Sequence, residues 1–142
     1  MKLLGITQRV DDIADYGEIR DALDQQWSHL ANELNFYALP LSNHMPLDKL
    51  STFLNQVTLS AIILTGGNTL KTEPTRDQFE HQLLSEALQR QIPVLGVCRG
   101  MQMINTFFGG ALEPVIGHAA TRHALKITND YKASIEPSVN SY

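Results

Sequence analysis

The chain has 142 residues, 43% of them hydrophobic and 18% charged, and carries a net charge of −4 at pH 7. That size and composition suit one folded domain around a single core and exclude a disordered tail. Lysine and arginine are scattered rather than gathered in a stripe, which excludes a nucleic-acid groove, and no apolar run is long enough to cross a bilayer.

In chain order, Lys2 to Thr7 is a first apolar run and predicts a strand, followed by a polar loop from Gln8 to Tyr16. The opening Met1-Lys2-Leu3-Leu4 imitates a signal start, but Gln8, Arg9, Asp11 and Asp12 end it, so a cytoplasmic location is expected. From Glu18 to Leu34, residues Ile19, Ala22, Leu23, Trp27, Leu30 and Leu34 recur at three- and four-residue steps, predicting one helix. Phe36 to Leu39 predicts a second strand, and Leu47 to Gln56 a helix with Leu50, Phe53 and Leu54 on one side. Ser60 to Thr65 predicts a third strand, ended by Gly66-Gly67. Thr75 to Gln91 predicts a helix whose apolar side holds Phe79, Leu83, Leu84, Ala87 and Leu88. Ile92 to Val97 predicts a fourth strand, Gly100 to Phe108 a last helix, and Gly109-Gly110 its stop. Further on, His123 to Ile127 and Ala133 to Ile135 are candidate short strands. Strands apolar at every position, alternating with helices, predict a three-layer α/β fold: a mostly parallel sheet with helices on both faces.

One cysteine allows no internal disulfide and no thiolate metal site, and taken alone it reads as a small buried hydrophobe. Its neighbours change the reading. Gly96-Val97-Cys98-Arg99-Gly100 follows a predicted strand and opens a predicted helix, which is the nucleophile-elbow pattern with cysteine in the serine position. A sharp strand-to-helix turn brings backbone close on both sides, which is what the flanking glycines permit. The sulfur then sits at a helix N-terminus, whose partial positive charge favours an anion, and the Arg99 side chain is expected to add charge in the same turn. A second glycine turn, Thr65-Gly66-Gly67-Asn68, lies at the carboxyl edge of its strand, where open α/β sheets bind ligands. Attack by a thiolate on an acyl carbon creates an oxyanion, and the backbone amides of Gly67 and Arg99 are assigned as its donors. Gly66-Gly67 reads equally as a plain turn when taken by itself.

Three segments together resemble the class I glutamine amidotransferase superfamily, in particular its free-standing γ-glutamyl hydrolases: Ile63-Leu64-Thr65-Gly66-Gly67-Asn68, Pro93 to Asn105 around Cys98, and Val139-Asn140-Ser141-Tyr142. The resemblance implies a flavodoxin-like fold spanning residues 1–142 as a single amidotransferase-like domain and a small-molecule γ-glutamyl substrate; no cofactor is expected, since no cofactor motif is read and the thiolate does the acyl chemistry. It implies that Cys98 is the nucleophile, that Gln102 holds the glutamyl end, and that Gly66, Asn140, Ser141 and Tyr142 lie at the substrate. Thr7-Gln8-Arg9-Val10 with Tyr16 to Asp24 is similar to a narrower subgroup that acts on γ-glutamyl nucleotide-linked intermediates of surface-sugar modification. There Arg9, just past the first strand, would meet a substrate carboxylate or phosphate; the plain alternative is a solvated charge.

Family members carry a catalytic histidine directly after the segment matching Val139 to Tyr142, and an acidic residue close behind. The resemblance therefore implies a C-terminally incomplete chain, expected to be inactive or nearly so as it stands. His118 and His123 follow the nucleophile and are weighed as substitute bases, whereas His29 and His81 are expected to face water and His44 to sit in a loop before Pro46. Arg76, Asp77 and Glu80 match a family pattern at a helix start, and the two acids there suit the helix dipole. The protease and deglycase branch of the fold has histidine after its cysteine, and Arg99 argues against it. Hydrolysis of a γ-glutamyl amide is the leading expectation. A glutaminase subunit feeding ammonia to a synthase partner and a non-catalytic binding subunit are the alternatives, and a homo-oligomer is left open.

Overall fold

A computed structural model of the chain describes residues 1–117. The chain divides into two compact units, Met1–Leu112 and Glu113–Tyr142, and every helix and strand among the described residues belongs to the first. The elements run β1 (Leu3–Thr7), β2 (Arg9–Ile13), β3 (Glu18–Ala22), α1 (Gln25–Glu33), β4 (Tyr37–Leu41), α2 (Leu47–Gln56), β5 (Leu59–Leu64), α3 (Pro74–Gln89), β6 (Val94–Gly96) and α4 (Arg99–Phe107). The candidate strands at 123–127 and 133–135 lie outside the described residues.

Strands β4, β1, β5 and β6 pair in that order, all parallel, and a separate antiparallel hairpin joins β2 to β3. The sheet parts two apolar clusters, because successive side chains of a strand point to opposite faces. On one face Ile62 and Leu64 of β5 pack with Leu50 of α2, Phe79 and Leu83 of α3 and Met103 of α4. On the other, Ile63 joins Leu4, Ile6 and Ala31, with Trp27 of α1 against them. Helices thus cover both faces, as the alternating pattern predicts. The expectation of strands buried on both faces holds for β5 but not for β6: among the described strands β6 is an edge, and its Leu95 is 56% exposed. No helix among the described residues is long and apolar enough to cross a membrane.

The segment from Gln8 to Leu34 departs from its sequence reading. The expected polar loop contains β2, and the expected helix from Glu18 begins only at Gln25, its first part being β3. Ile19 and Ala22 keep helical spacing with Trp27 by coincidence; Ile19 is in fact 72% exposed. The local signal is Asp24, whose carboxylate accepts from the Gln26 N–H at 2.9 Å and so fixes where helix α1 starts.

Tertiary hydrogen bonds hold the hairpin in place. Asp21 of β3 accepts from Ser42 Oγ at 3.0 Å, from the Asn43 N–H at 2.9 Å and from Asn43 Nδ2 at 2.6 Å. The Asn68 amide accepts from Val10 N–H at 2.8 Å and donates to Val10 C=O at 2.9 Å, pairing with β2 as another strand would. Asn43 is buried, so removal of Asp21 leaves its amide short of a partner. We expect Asp21→Ala to open the hairpin by about 1–3 kcal/mol. Amide hydrogen exchange checks this: faster exchange in β2 and β3, with β1 and β5 unchanged, is the expected result.

Candidate active site

The strand order reverses at β1: the chain leaves it for β4 on one side and returns to β5 on the other. Open α/β sheets form a crevice at the carboxyl ends of strands at such a reversal. Here those ends are Thr7 and Leu64, tied together by Thr65, whose N–H donates to Thr7 Oγ1 at 3.1 Å and whose Oγ1 donates to Thr7 C=O at 2.9 Å. A pocket of about 390 Å³ opens beside them, lined by Arg9, Trp27, Gly66, Gly67 and Val97 among others.

Cys98 stands at the rim of that crevice, between β6 and α4, with φ 54° and ψ −110°. Positive φ is a strained backbone for a residue with a Cβ, of order 1–3 kcal/mol, held only where surrounding structure enforces it. The glycines on either side show what enforces it. A Cβ on Gly96 would stand 2.6 Å from the Gly100 carbonyl, and one on Gly100 would stand 2.0 Å from the Leu64 carbonyl oxygen. Strand, turn and helix therefore touch backbone to backbone. The thiol is exposed and makes no capping bond to its own helix. A Cβ on Gly66 would lie 3.3 Å from Cys98 Cβ and 3.7 Å from its Sγ, so the second glycine turn abuts the cysteine.

Gly67 has φ 79°, and a Cβ there would meet Arg9 Cβ at 2.9 Å. Arg9 therefore lies on the Gly67 turn, as its sequence position past β1 suggests, but it is also paired with Asp11 at 2.9 Å. Gln102 is half-buried in α4, and its N–H donates to Cys98 C=O at 3.2 Å. Gln102 stands four positions after Cys98, about one helical turn along from the N-cap. Asn140, Ser141 and Tyr142, with His118 and His123, lie outside the described residues. His29, His44 and His81 are exposed, and His81 packs its ring on Phe107, 4.8 Å between centroids.

The Arg99 side chain overturns one expectation. Instead of adding charge beside the sulfur, it is buried and ion-paired with Asp77 and Glu80 of α3. Glu80 also accepts from Arg76 Nε at 2.9 Å. Arg76 and Glu80 are fully buried, so Asp77 and Glu80 serve more than a helix dipole. Burial pushes the Arg76 guanidinium below its ordinary pKa, the Glu80 carboxylate opposes that shift, and Arg99 adds to it. The remaining Arg76 donors reach the loop after β5: Thr65 C=O at 2.9 Å, Gly66 C=O at 3.0 Å, Gly67 C=O at 3.0 Å and Asn68 Oδ1 at 2.9 Å. A signal for this cluster does stand in the sequence. Arg76 lies in the first turn of α3 and Arg99 begins α4, at the positive ends of helices, where cations are disfavoured unless anions hold them.

A parallel α/β sheet with an exposed cysteine on a strained strand-to-helix turn at the sheet's carboxyl edge has the layout of a class I glutamine amidotransferase-like protein. The family profile of Peptidase C26 matches residues 3–140, and the chain belongs to that family. It is similar to the gamma-glutamyl-CDP-amidate hydrolase of Campylobacter jejuni, 35% identical over 124 residues, which cover 81% of this chain and 60% of that protein. It is also similar to the glutamine amidotransferase-like protein YvdE of Lactococcus lactis, 39% identical over 83 residues, 48% of this chain and 35% of that one. A third match is the glutamine-hydrolyzing GMP synthase of Dictyostelium discoideum, 33% identical over 73 residues, 51% of this chain and 10% of the synthase. The chain spans 60% of the length of the Campylobacter relative.

Proposed function

We propose that this chain acts in the hydrolysis of a γ-glutamyl amide, with Cys98 as the nucleophile. The single observation behind the reading is an exposed Cys98 at φ 54°, in contact with the Gly66-Gly67 turn, at the crevice where the strand order reverses. In this reading Cys98 Sγ bonds to the γ-carbonyl carbon, and the carbonyl oxygen takes up the charge. The amides of Gly67 and Arg99 stabilise it. The C–N bond then breaks, the amine leaves with the proton that the thiol gave up, and a γ-glutamyl thioester stays on Cys98. Water attacks that thioester, releasing glutamate and restoring the thiol. Gln102, one turn into α4 from Cys98, holds the glutamyl end, and Gly66 shapes the floor beneath it. Asn140, Ser141 and Tyr142 are proposed to complete the substrate site.

A pocket of about 390 Å³ beside Gly67 gives more room than an ammonia leaving group needs. That favours a bulky amine over the glutaminase alternative, which the match to the GMP synthase supports. We place the leaving group, nucleotide-linked as the Campylobacter protein's name states, in that pocket, with Trp27 against its base and Arg9 at a phosphate. Arg9→Ala is then expected to raise KM about tenfold for a phosphate-bearing γ-glutamyl conjugate and to leave KM for glutamine unchanged. Steady-state kinetics on both substrates check it; equal effects on the two remove Arg9 from the leaving-group site.

The reading as a whole is tested by treating the chain with 6-diazo-5-oxo-norleucine and measuring its intact mass. One adduct on Cys98 is expected, formed faster than on the denatured chain and missing from Cys98→Ala. Labelling no faster than on the denatured chain would rule out a preformed γ-glutamyl site.

A further inference from the structure

Resting on the reading of Cys98 as nucleophile, we infer that Arg76 is a positioning residue that locks the peptide planes of Thr65 to Asn68, and thereby aims the Gly67 N–H at the developing oxyanion. The guanidinium takes three successive main-chain carbonyls, those of Thr65, Gly66 and Gly67, each within 3.0 Å. In a trans peptide the carbonyl and the N–H point in opposite directions. The Gly67 N–H shares its peptide with the Gly66 carbonyl, so it is directed away from Arg76. It finds no hydrogen-bond acceptor among the described residues.

That orientation needs an enforcer. Neither Gly66 nor Gly67 has a Cβ, so the peptide between them rotates with little steric resistance. A flip would present the Gly66 carbonyl where the N–H had been, and a carbonyl dipole repels an oxyanion instead of holding it. Arginine suits the task, since its planar fork of five N–H donors can satisfy several carbonyls at fixed angles, whereas a lysine ammonium is a single point. The fork is itself clamped. Glu80 accepts from Arg76 Nε through one oxygen and from Arg99 through the other. Because Arg99 carries the second proposed amide donor, one buried carboxylate ties both halves of the oxyanion site together.

The test compares two reactions of Cys98 in the full chain. Release of 4-nitroaniline from L-glutamate γ-(4-nitroanilide) passes through a tetrahedral oxyanion, and its weakly basic amine needs little help from an acid. Alkylation by iodoacetamide displaces iodide at a saturated carbon and forms no oxyanion. For Arg76→Lys we expect the first-turnover rate of nitroaniline release at saturating substrate to fall about 100-fold with the half-saturating concentration nearly unchanged, the scale of losing one oxyanion donor. Alkylation should stay within about twofold. Equal nitroaniline release by Arg76→Lys and the unaltered chain overturns the positioning role, and so does a parallel loss of alkylation, which marks a general collapse of the site. Release is read on the first turnover, which draws on Cys98 and its oxyanion donors; no first-turnover release by the unaltered chain instead overturns the functional reading on which this one rests. Should Arg76→Lys melt below the assay temperature, the pair Arg76→Met with Glu80→Gln, which keeps the cluster's net charge at zero, is measured in its place. The same loss with the same intact alkylation is expected.

Discussion

Replacing Gly100 with alanine is expected to destabilise the protein by more than about 4 kcal/mol, a large share of the ~5–15 kcal/mol that holds a domain of this kind folded. The added Cβ would sit 2.0 Å from the Leu64 carbonyl oxygen and 2.6 Å from the Leu64 carbonyl carbon. Those atoms are backbone of a buried sheet strand, so no side chain can swing aside to make room. Relief requires α4 to move off β5, and with it the turn that holds Cys98 at positive φ. The substitution should therefore lower stability and slow labelling of Cys98 together. Gly17→Ala is the control. Gly17 has positive φ, at 61°, which Gly100 does not, but nothing lies within 4 Å of a Cβ placed there. It should cost only the conformational strain of about 1–2 kcal/mol. Urea titration of both variants checks the pair; similar midpoints would show that contact with Leu64 is not what limits the site.

The second large effect is expected at Glu80. Its carboxylate is fully buried and accepts from two arginines, themselves buried at 0% and 1% exposure. Glu80→Ala leaves Arg76 and Arg99 facing one another with Asp77 as the remaining acid, and an uncompensated buried charge costs about 3–5 kcal/mol. Arg76→Met combined with Glu80→Gln should retain most of the stability that Glu80→Ala loses, because the Arg99–Asp77 pair then balances alone. Denaturant midpoints decide between a charge-balance account and a simple loss of packing. In the second case the double variant would be at least as unstable as the single one.

Most of the helices are legible in the spacing of their apolar residues. α2 spans Leu47–Gln56 as its apolar spacing predicts, and α3 keeps Phe79, Leu83, Leu84 and Ala87 inside. Leu88, placed on the same face by spacing, is half exposed because the buried stripe of α3 is narrower than its run of apolar residues. The β2–β3 hairpin was illegible for a different reason. Its strands are mostly polar, with no alternation to signal a half-buried face, and its hold on the protein comes from Asn68 and from Ser42 and Asn43, which are remote in sequence. The Arg76–Glu80–Arg99 cluster is legible only as a family pattern whose acids suit the helix dipole; the two arginines at helix starts carry a signal that this reading does not use.

What the sequence by itself determined is whatever depends on neighbours along the chain. Gly96-Val97-Cys98-Arg99-Gly100 implies an elbow because Gly96 must clear the helix that directly follows its strand, whereas the clash that demands glycine at position 100 is with Leu64 of the neighbouring strand β5. The periodic apolar residues imply a layered α/β fold for the same local reason. Only the tertiary structure decided where the charges and carbonyls went. It turned Arg99 away from the sulfur and into the core. It gave the loop carbonyls to Arg76 and set a polar hairpin beside the pocket. Those choices rest on ion pairs and hydrogen bonds between residues ~10 to 60 positions apart in sequence, whose partners are settled by desolvation on packing rather than by local propensity.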